Sequence, residues 1–115
     1  MESKAHLRSL RMAPRKVALV ASLVRGKPVG SALNILKFTR RAAAKPVAKL
    51  IRSALANATD LSKGQVDVDS MYIKAISVDQ GPTARRYLAR AMGRASPIHK
   101  KSSHIHVILA EARKG

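Results

Sequence analysis

The sequence predicts an α+β fold in which three helices pack on a small three-stranded antiparallel sheet and a long β-hairpin protrudes from it. Three observations support this prediction. Apolar residues recur at helical spacing across 14–58, and they then alternate with a period of two in 71–76 and 104–109. The segment between these two strands, 80–101, holds glycine, proline and basic residues without an apolar face. At 115 residues the chain is predicted to be one domain, 1–115, with 80–101 as an extended arm within it.

Proline and glycine bound the first two predicted helices. A short, poorly alternating strand is predicted over 4–11. After it, Pro14 suits the first position of a helix and Gly26 suits the position after its end. A second helix is predicted after Pro28. The first helix is expected to be buried on most sides by Val17, Leu19, Val20, Ala21, Leu23 and Val24. The second helix is expected to have apolar residues at Leu33, Ile35, Leu36 and Phe38. Its narrow polar stripe is expected to contain Ser31, Asn34 and Lys37.

The third helix, predicted over 41–58, has an apolar side and a basic side. Pro46 is compatible with this helix only in its first turn. At about 100° per residue, the apolar side contains Val47, Leu50, Ile51, Ala54 and Ala58. The opposite side contains the four residues that we call the basic stripe: Arg41, Lys45, Lys49 and Arg52. Like charges at this spacing repel by about 0.2–0.5 kcal/mol per pair, whereas a row of phosphates would attract all four. The stripe is therefore predicted to contact nucleic acid, the alternative being a solvated face.

The net charge indicates a polyanionic partner. The chain contains 23 Lys and Arg residues but only 6 Asp and Glu residues, which gives a net charge of +17 and a pI near 11.6. No acid occurs between Glu2 and Asp60 or between Asp79 and Glu111. A solvated surface normally mixes both signs, so these acid-free stretches favour contact with nucleic acid. Residues 80–101 are then either a disordered loop or a ribbon held by phosphates, because an isolated two-stranded ribbon is marginally stable in water.

Several functional classes are excluded or disfavoured. The absence of cysteine excludes disulfides, cysteine zinc sites and thiol nucleophiles. No apolar run reaches the length of a membrane span, so we expect a cytoplasmic protein without a membrane partner. Gly26-Lys27 resembles the end of a P-loop, but the motif is incomplete. Ala21 occupies the position of its first Gly, and Pro28 occupies the position of its Ser/Thr. The histidines His99, His104 and His106 lack a further metal ligand, which favours packing or hydrogen bonding against RNA. We expect no enzyme activity, no metal and no cofactor.

The residues also narrow the mode of nucleic-acid binding. The three aromatic residues, Phe38, Tyr72 and Tyr87, are too few for the base-stacking sheets of RRM or OB domains. A helix-turn-helix over 14–38 would suit a DNA-binding or nucleoid protein, but it leaves the basic ribbon unexplained. A membrane-active cationic peptide would need an aromatic apolar face that is missing. Recognition of a folded RNA by shape and phosphates accounts for all these features, and DNA binding remains the alternative.

Six motifs occur in a characteristic order along nearly the whole chain. They are Met12-Ala13-Pro14-Arg15-Lys16, Leu23-Val24-Arg25-Gly26-Lys27, Ser53-Ala54-Leu55-Ala56-Asn57-Ala58, Val78-Asp79-Gln80-Gly81-Pro82, Arg90-Ala91-Met92-Gly93-Arg94-Ala95 and Ser103-His104-Ile105. Each motif is weak alone, but their combination resembles the bacterial-type large-subunit ribosomal protein L22 family. The resemblance implies a structural constituent of the large subunit that binds and stabilises large-subunit (23S) rRNA during assembly. It also implies a globular domain on the subunit surface and a hairpin threaded through the rRNA.

The resemblance further implies partners and residue roles. The hairpin tip would line the nascent-peptide exit tunnel beside ribosomal protein L4, near the macrolide-binding region, and would meet the nascent peptide transiently. Other partners would be neighbouring large-subunit proteins, and no second copy of the chain is expected. The tip residues would be Arg90, Met92, Gly93 and Arg94. The rRNA-binding residues of the ribbon and returning arm would be Arg85, Arg86, Lys100, Lys101, Ser103 and His104. Besides the basic stripe, the predicted rRNA contacts near the first strand and helix are Arg8, Arg11, Arg15, Lys16, Arg25 and Lys27.

Overall fold

The computed structural model of the chain describes residues 2–65, 68–81, 84–89 and 95–111 and has the predicted α+β fold. Three helices lie against a three-stranded antiparallel sheet in the order β1-β5-β2, and β3 and β4 form a separate two-stranded ribbon. The elements in chain order are β1 Glu2–Leu10, α1 Pro14–Val24, α2 Val29–Phe38, α3 Ala44–Leu61, a 3-10 turn Val68–Ser70, β2 Met71–Gln80, β3 Ala84–Ala89, β4 Ala95–Lys100 and β5 Ser103–Glu111.

Strand β5 is the centre of the sheet because it pairs with both β1 and β2. Its core face consists of three fully buried residues, Ile105, Val107 and Leu109. Strand β2 departs from the predicted alternation, since a bulge lies between Ile73 and Ala75. As a result Ile76 is buried opposite Val107, while Ala75 is exposed. A bulge inserts one extra residue, which moves every following side chain to the other face of the strand.

Helix α3 packs on the sheet edge formed by β1. Ile51 is fully buried on the apolar side of the helix. The buried hydroxyl of Ser3 donates a hydrogen bond to the carbonyl of Ala54 at 2.5 Å. The side-chain amide of Asn57 donates to the carbonyl of Lys4 at 3.1 Å. These bonds and the apolar contacts fix the rotation of α3, so its opposite side faces outward.

The connection between α1 and α2 binds the free edge of β2. Gly26 has a φ of 76° and ends α1, as predicted from its position. Its N–H donates to the carbonyl of Ile73 at 3.1 Å, and the N–H of Ile73 donates to the carbonyl of Lys27 at 2.9 Å. Pro28 and Tyr72 form a further bridge. The turn therefore covers an edge that would otherwise expose backbone groups.

The predicted burial of α1 is wrong at Leu19 and Leu23, and Phe38 at the end of α2 is exposed as well. The exposed fraction is 51% for Leu19, 42% for Leu23 and 76% for Phe38. At about 100° per residue, Leu19 lies about 200° from the buried Val17, and Phe38 lies about 180° from the buried Val29. Each helix buries only the stripe that faces the core. The apolar residues on the other side of each helix remain in solvent.

Helix α3 begins three residues later than predicted. It starts at Ala44 and continues to Leu61, so Pro46 is its third residue and lies in the first turn, as the sequence requires. An earlier start would leave the carbonyl of Ala42 without its usual partner, because Pro46 has no N–H. Arg41 lies in the preceding turn, where its carbonyl accepts a hydrogen bond from the N–H of Ala44 at 3.0 Å.

The ribbon extends the molecule well beyond a compact domain. Its strands pair from Ala84 with Lys100 to Ala89 with Ala95, which brackets residues 90–94. The radius of gyration is 17.5 Å, whereas a compact domain of this length has about 13 Å. The three principal dimensions are 67, 26 and 18 Å. The predicted protruding hairpin is therefore confirmed.

Gly81 lies where β2 leaves the sheet toward the ribbon, and we expect it to be intolerant of a side chain. Its N–H donates to the carbonyl of Ser102 at 2.9 Å. A Cβ at Gly81 would lie 2.6 Å from Ser102 Oγ and 3.1 Å from His104 Cε1. Ser102 is buried and His104 is half-buried, so neither can move freely. We expect Gly81→Ala to lower the free energy of unfolding by about 1–3 kcal/mol.

Gly30 is the matched control for this prediction. Nothing lies within 4 Å of a Cβ at Gly30, which is in the first turn of α2. Alanine favours a helix over glycine by roughly 0.5–1 kcal/mol, so Gly30→Ala should be neutral or stabilising. Urea-induced unfolding of both variants measures the difference. Equal stability changes would contradict the steric explanation at Gly81.

Candidate nucleic-acid interface

The basic stripe forms an exposed row along α3 and the turn before it. Lys45, Lys49 and Arg52 are exposed on the side of α3 opposite its buried apolar side, and Arg41 is exposed in the preceding turn. Within the described part of the chain, no carboxylate pairs with any of the four. The stripe is therefore a rigid, uncompensated row of positive charge, which is the arrangement that a phosphate backbone attracts.

A second group of exposed cations lies between the end of β1 and the first turn of α1. It contains Arg8, Arg11, Arg15 and Lys16. Strand β1 is irregular here, because its register with β5 shifts between Leu7 and Leu10. Ser9 has a φ of 57°, which is unusual for a residue with a side chain, and its N–H donates to His104 Nδ1 at 3.0 Å. The bulge ends the regular pairing of β1 and leads the chain into this basic segment.

Arg25 has a structural contact in addition to its predicted role. Its Nη2 donates to the carbonyl of Ile76 at 2.8 Å, which ties the end of α1 to β2. Lys27 is exposed, and only its backbone carbonyl binds the sheet. The side chain of Lys27 is free for a phosphate, whereas the guanidinium of Arg25, which has five N–H donors, uses one of them on Ile76.

Ser103 lies inside the protein and is not part of the surface. It is fully buried, and its hydroxyl donates to the carbonyl of Met12 at 2.6 Å. His104 is half-buried, and its Nδ1 accepts the hydrogen bond from Ser9. The Ser103 side chain thus holds β5 to the segment that follows β1, and the His104 side chain holds β5 to the end of β1. Lys101, just before β5, is exposed. We therefore remove Ser103 from the candidate interface, because a buried hydroxyl with an internal partner cannot reach RNA.

On the open face of the sheet, His106, which the sequence singled out, pairs with His6, which it did not. His6 Nδ1 and His106 Nδ1 are 2.5 Å apart, and the ring centroids are separated by 4.8 Å. One of these nitrogens donates and the other accepts, so the two rings share one proton along this contact. His106 Nε2 lies 3.2 Å from Asp79 Oδ2. Among the described residues, no cluster of His, Asp and Glu could hold a metal ion.

Acidic residues lie at the end of the sheet opposite the ribbon. Glu2 begins β1, Glu111 ends β5 opposite Met71, and Asp69 lies in the 3-10 turn before β2. Glu2 accepts a hydrogen bond from Lys74, which lowers the pKa of the Glu2 carboxyl and raises the pKa of the Lys74 ammonium. These three acids therefore lie at the end of the sheet farthest from the ribbon, whereas Asp79 lies near the ribbon end of β2.

The ribbon carries the remaining predicted contacts. Arg85 and Arg86 lie on β3, where they pair with His99 and Ile98 of β4, and Lys100 ends β4. The predicted tip residues Arg90, Met92, Gly93 and Arg94 lie outside the described residues. None of the described helices is long and apolar enough to cross a membrane.

Known proteins are similar to this chain in sequence. Residues 5–110 match the family described as ribosomal protein L22p/L17e. The large ribosomal subunit protein uL22 of Myxococcus xanthus is 74% identical over 99% of this chain and 100% of its own length. The proteins of the same name from Anaeromyxobacter sp. (strain K) and Geobacter sulfurreducens are 56% and 54% identical over 96% of this chain, and over 75% and 98% of their own lengths. The chain therefore belongs to the ribosomal protein L22p/L17e family and is a structural constituent of the large ribosomal subunit.

Proposed function

We propose that the chain binds and stabilises large-subunit rRNA during assembly and that its hairpin tip lines the nascent-peptide exit tunnel. The observation that carries the rRNA contact is the basic stripe, whose four exposed cations have no carboxylate partner among the described residues. As a member of a ribosomal protein family, the chain is located in the ribosome and therefore in the cytoplasm.

The mechanism is charge neutralisation by a preorganised surface. Helix α3 is held to β1 by the bonds from Ser3 and Asn57, so the stripe faces the RNA as one rigid row. Each cation that contacts a phosphate releases condensed counterions, which makes association favourable at low salt. Like-charge repulsion within the stripe is relieved when phosphates approach. This role is structural, and it requires no catalytic step.

The ribbon extends the contact away from the globular domain. An isolated two-stranded ribbon is marginal in water, so a partner must supply the stabilisation that an apolar face would otherwise provide. Its basic residues, Arg85, Arg86 and Lys100, match a phosphate-rich channel. The tip residues Arg90, Met92, Gly93 and Arg94 would then reach the tunnel, where L4 and the nascent peptide are the neighbours that the family resemblance implies.

The DNA-binding alternative is disfavoured. It required the turn of a helix-turn-helix over 14–38, but here the turn at Gly26 and Lys27 is hydrogen-bonded to the edge of β2. The second helix of that motif buries Val29, Ala32 and Leu36 against the core. Membership of a ribosomal family likewise favours rRNA over DNA as the partner.

The salt dependence of binding tests the proposed function. If the chain neutralises about eight phosphates, the logarithm of its affinity for transcribed large-subunit rRNA should fall with the logarithm of salt concentration with a slope of about −6 to −7. Filter binding between 50 and 300 mM KCl, roughly the range in which such slopes are measured, gives this number. An affinity that does not depend on salt would reject electrostatic docking on rRNA.

A further inference from the structure

Phe38 is the most exposed large apolar residue in the described part of the chain. Its exposed fraction is 76%, above those of Leu61, Leu19 and Leu23. Single exposed leucines are ordinary on protein surfaces. Phe38 differs because it is aromatic, its backbone is fixed and its surroundings carry one sign of charge.

The backbone at Phe38 is held by the end of α2. Phe38 is the last residue of this helix, and Thr39 closes the final turn in two ways. The N–H of Thr39 donates to the carbonyl of Leu36 at 3.3 Å, and its hydroxyl donates to the carbonyl of Ile35 at 2.7 Å. Leu36 is buried and anchors the helix in the core. The aromatic ring is therefore presented to solvent from a rigid position, which limits the entropy lost when a partner binds.

The charges beside Phe38 select an anionic partner. Lys37 Nζ lies 5.8 Å from the centroid of the Phe38 ring. Arg40 and Arg41 follow Thr39 in the chain and are exposed. None of these three cations pairs with a carboxylate among the described residues. An apolar pocket on another protein would have to be strongly acidic to approach this surface. A nucleotide combines the flat aromatic face of a base with a phosphate, and it fits both the ring and the cations.

We propose that Phe38 is a stacking platform for one unpaired rRNA base, whose flanking phosphates contact Lys37, Arg40 and Arg41. This inference rests on the proposed function and extends it. The chain would recognise an unpaired nucleotide at this point, in addition to the phosphates of a folded RNA. One aromatic residue suffices for one base, although three are too few for the stacking sheet of an RRM or OB domain.

Substitutions of Phe38 test the proposal with two RNAs. The first probe is transcribed, folded large-subunit rRNA, and the second is a perfectly paired RNA duplex without unpaired bases. Phe38→Ala and Phe38→Leu should each weaken binding to the folded rRNA by about tenfold or more, because stacking on an aromatic ring is lost. Phe38→Tyr keeps the ring and should bind like the unmodified chain. None of the three should change binding to the duplex.

Leu61→Ala is the matched control. Leu61 is also a highly exposed apolar residue, at the last position of α3. Its replacement should leave binding to both RNAs unchanged. In intact large subunits, ultraviolet irradiation should crosslink the peptide containing Phe38 to a nucleotide.

Several results would overturn the proposal. Phe38→Leu binding as tightly as the unmodified chain would mean that the side chain makes only a general apolar contact. If the Phe38 substitutions weaken binding to the folded rRNA and to the duplex equally, no unpaired base is recognised. A crosslink from Phe38 to another protein, and not to RNA, would assign the ring to a protein pocket. If the unmodified chain itself binds folded rRNA without salt dependence, the proposed function fails, and that result is separate from any effect of Phe38.

Discussion

Replacing all four residues of the basic stripe with glutamine is expected to lower the affinity for large-subunit rRNA by about two to three orders of magnitude near physiological salt. The residues are Arg41, Lys45, Lys49 and Arg52. Each lost phosphate contact removes about 0.7–0.9 from the log–log salt slope, so the slope should become shallower by about three. Binding measured across a salt series gives both quantities.

The same variant is expected to fold at least as stably as the unmodified chain. All four side chains are exposed and contact no carboxylate among the described residues. Removing like charges at helical spacing relieves about 0.2–0.5 kcal/mol per pair. Urea-induced unfolding measures this effect independently of RNA. A loss of affinity in a fully folded variant then reports the interface and not the fold.

A pair of single substitutions provides the matched control. Lys49 lies in the middle of the stripe, whereas Lys63 is an exposed lysine just after the end of α3. Lys49→Gln should reduce the salt slope by about 0.7–0.9, and Lys63→Gln should leave it unchanged. If the fourfold variant folds normally and keeps its affinity, the stripe is only a solvated face.

Removal of the hairpin tip is expected to separate assembly from tunnel function. Excising Ala89–Ala95 and joining Leu88 to Ser96 through Asn-Gly keeps the ribbon pairs from Ala84–Lys100 to Leu88–Ser96. The stripe and the basic residues of the ribbon are retained, so the protein should still be incorporated into large subunits in nearly full stoichiometry. Stalling by specific nascent peptides and the response to macrolides should change, because the residues that we propose line the tunnel are removed.

Two measurements decide this prediction. Quantitative mass spectrometry of purified large subunits gives the stoichiometry, and a stalling reporter gives the tunnel effect. The control is Arg85→Gln with Arg86→Gln, which keeps the tip but removes charge from the ribbon and should reduce incorporation. If the truncated protein is not incorporated into large subunits, the tip is required for assembly. If it is incorporated and stalling is unaltered, the tip has no role in the tunnel.

The sequence determined the features that depend on local periodicity and composition. Helical spacing placed Lys45, Lys49 and Arg52 on one side of α3, and the structure keeps all three exposed there. Gly26 ended α1 because only the local backbone conformation matters at that position. Alternation in β5 located the core face correctly. The acid-free stretches are a property of the composition alone, and they indicate a polyanionic partner whatever the fold.

Only the tertiary structure decided which face of each element is covered. Leu19 was expected to widen the buried face of α1, yet 51% of this residue is exposed. Ser103 was expected at the interface, yet its hydroxyl is buried against the carbonyl of Met12, 91 residues earlier in the chain. The bulge after Ile73 changes the phase of β2 through pairing with a strand that begins at Ser103. Contacts between residues so distant in sequence leave no periodic signal, because they depend on how the sheet is assembled and not on the spacing within one element.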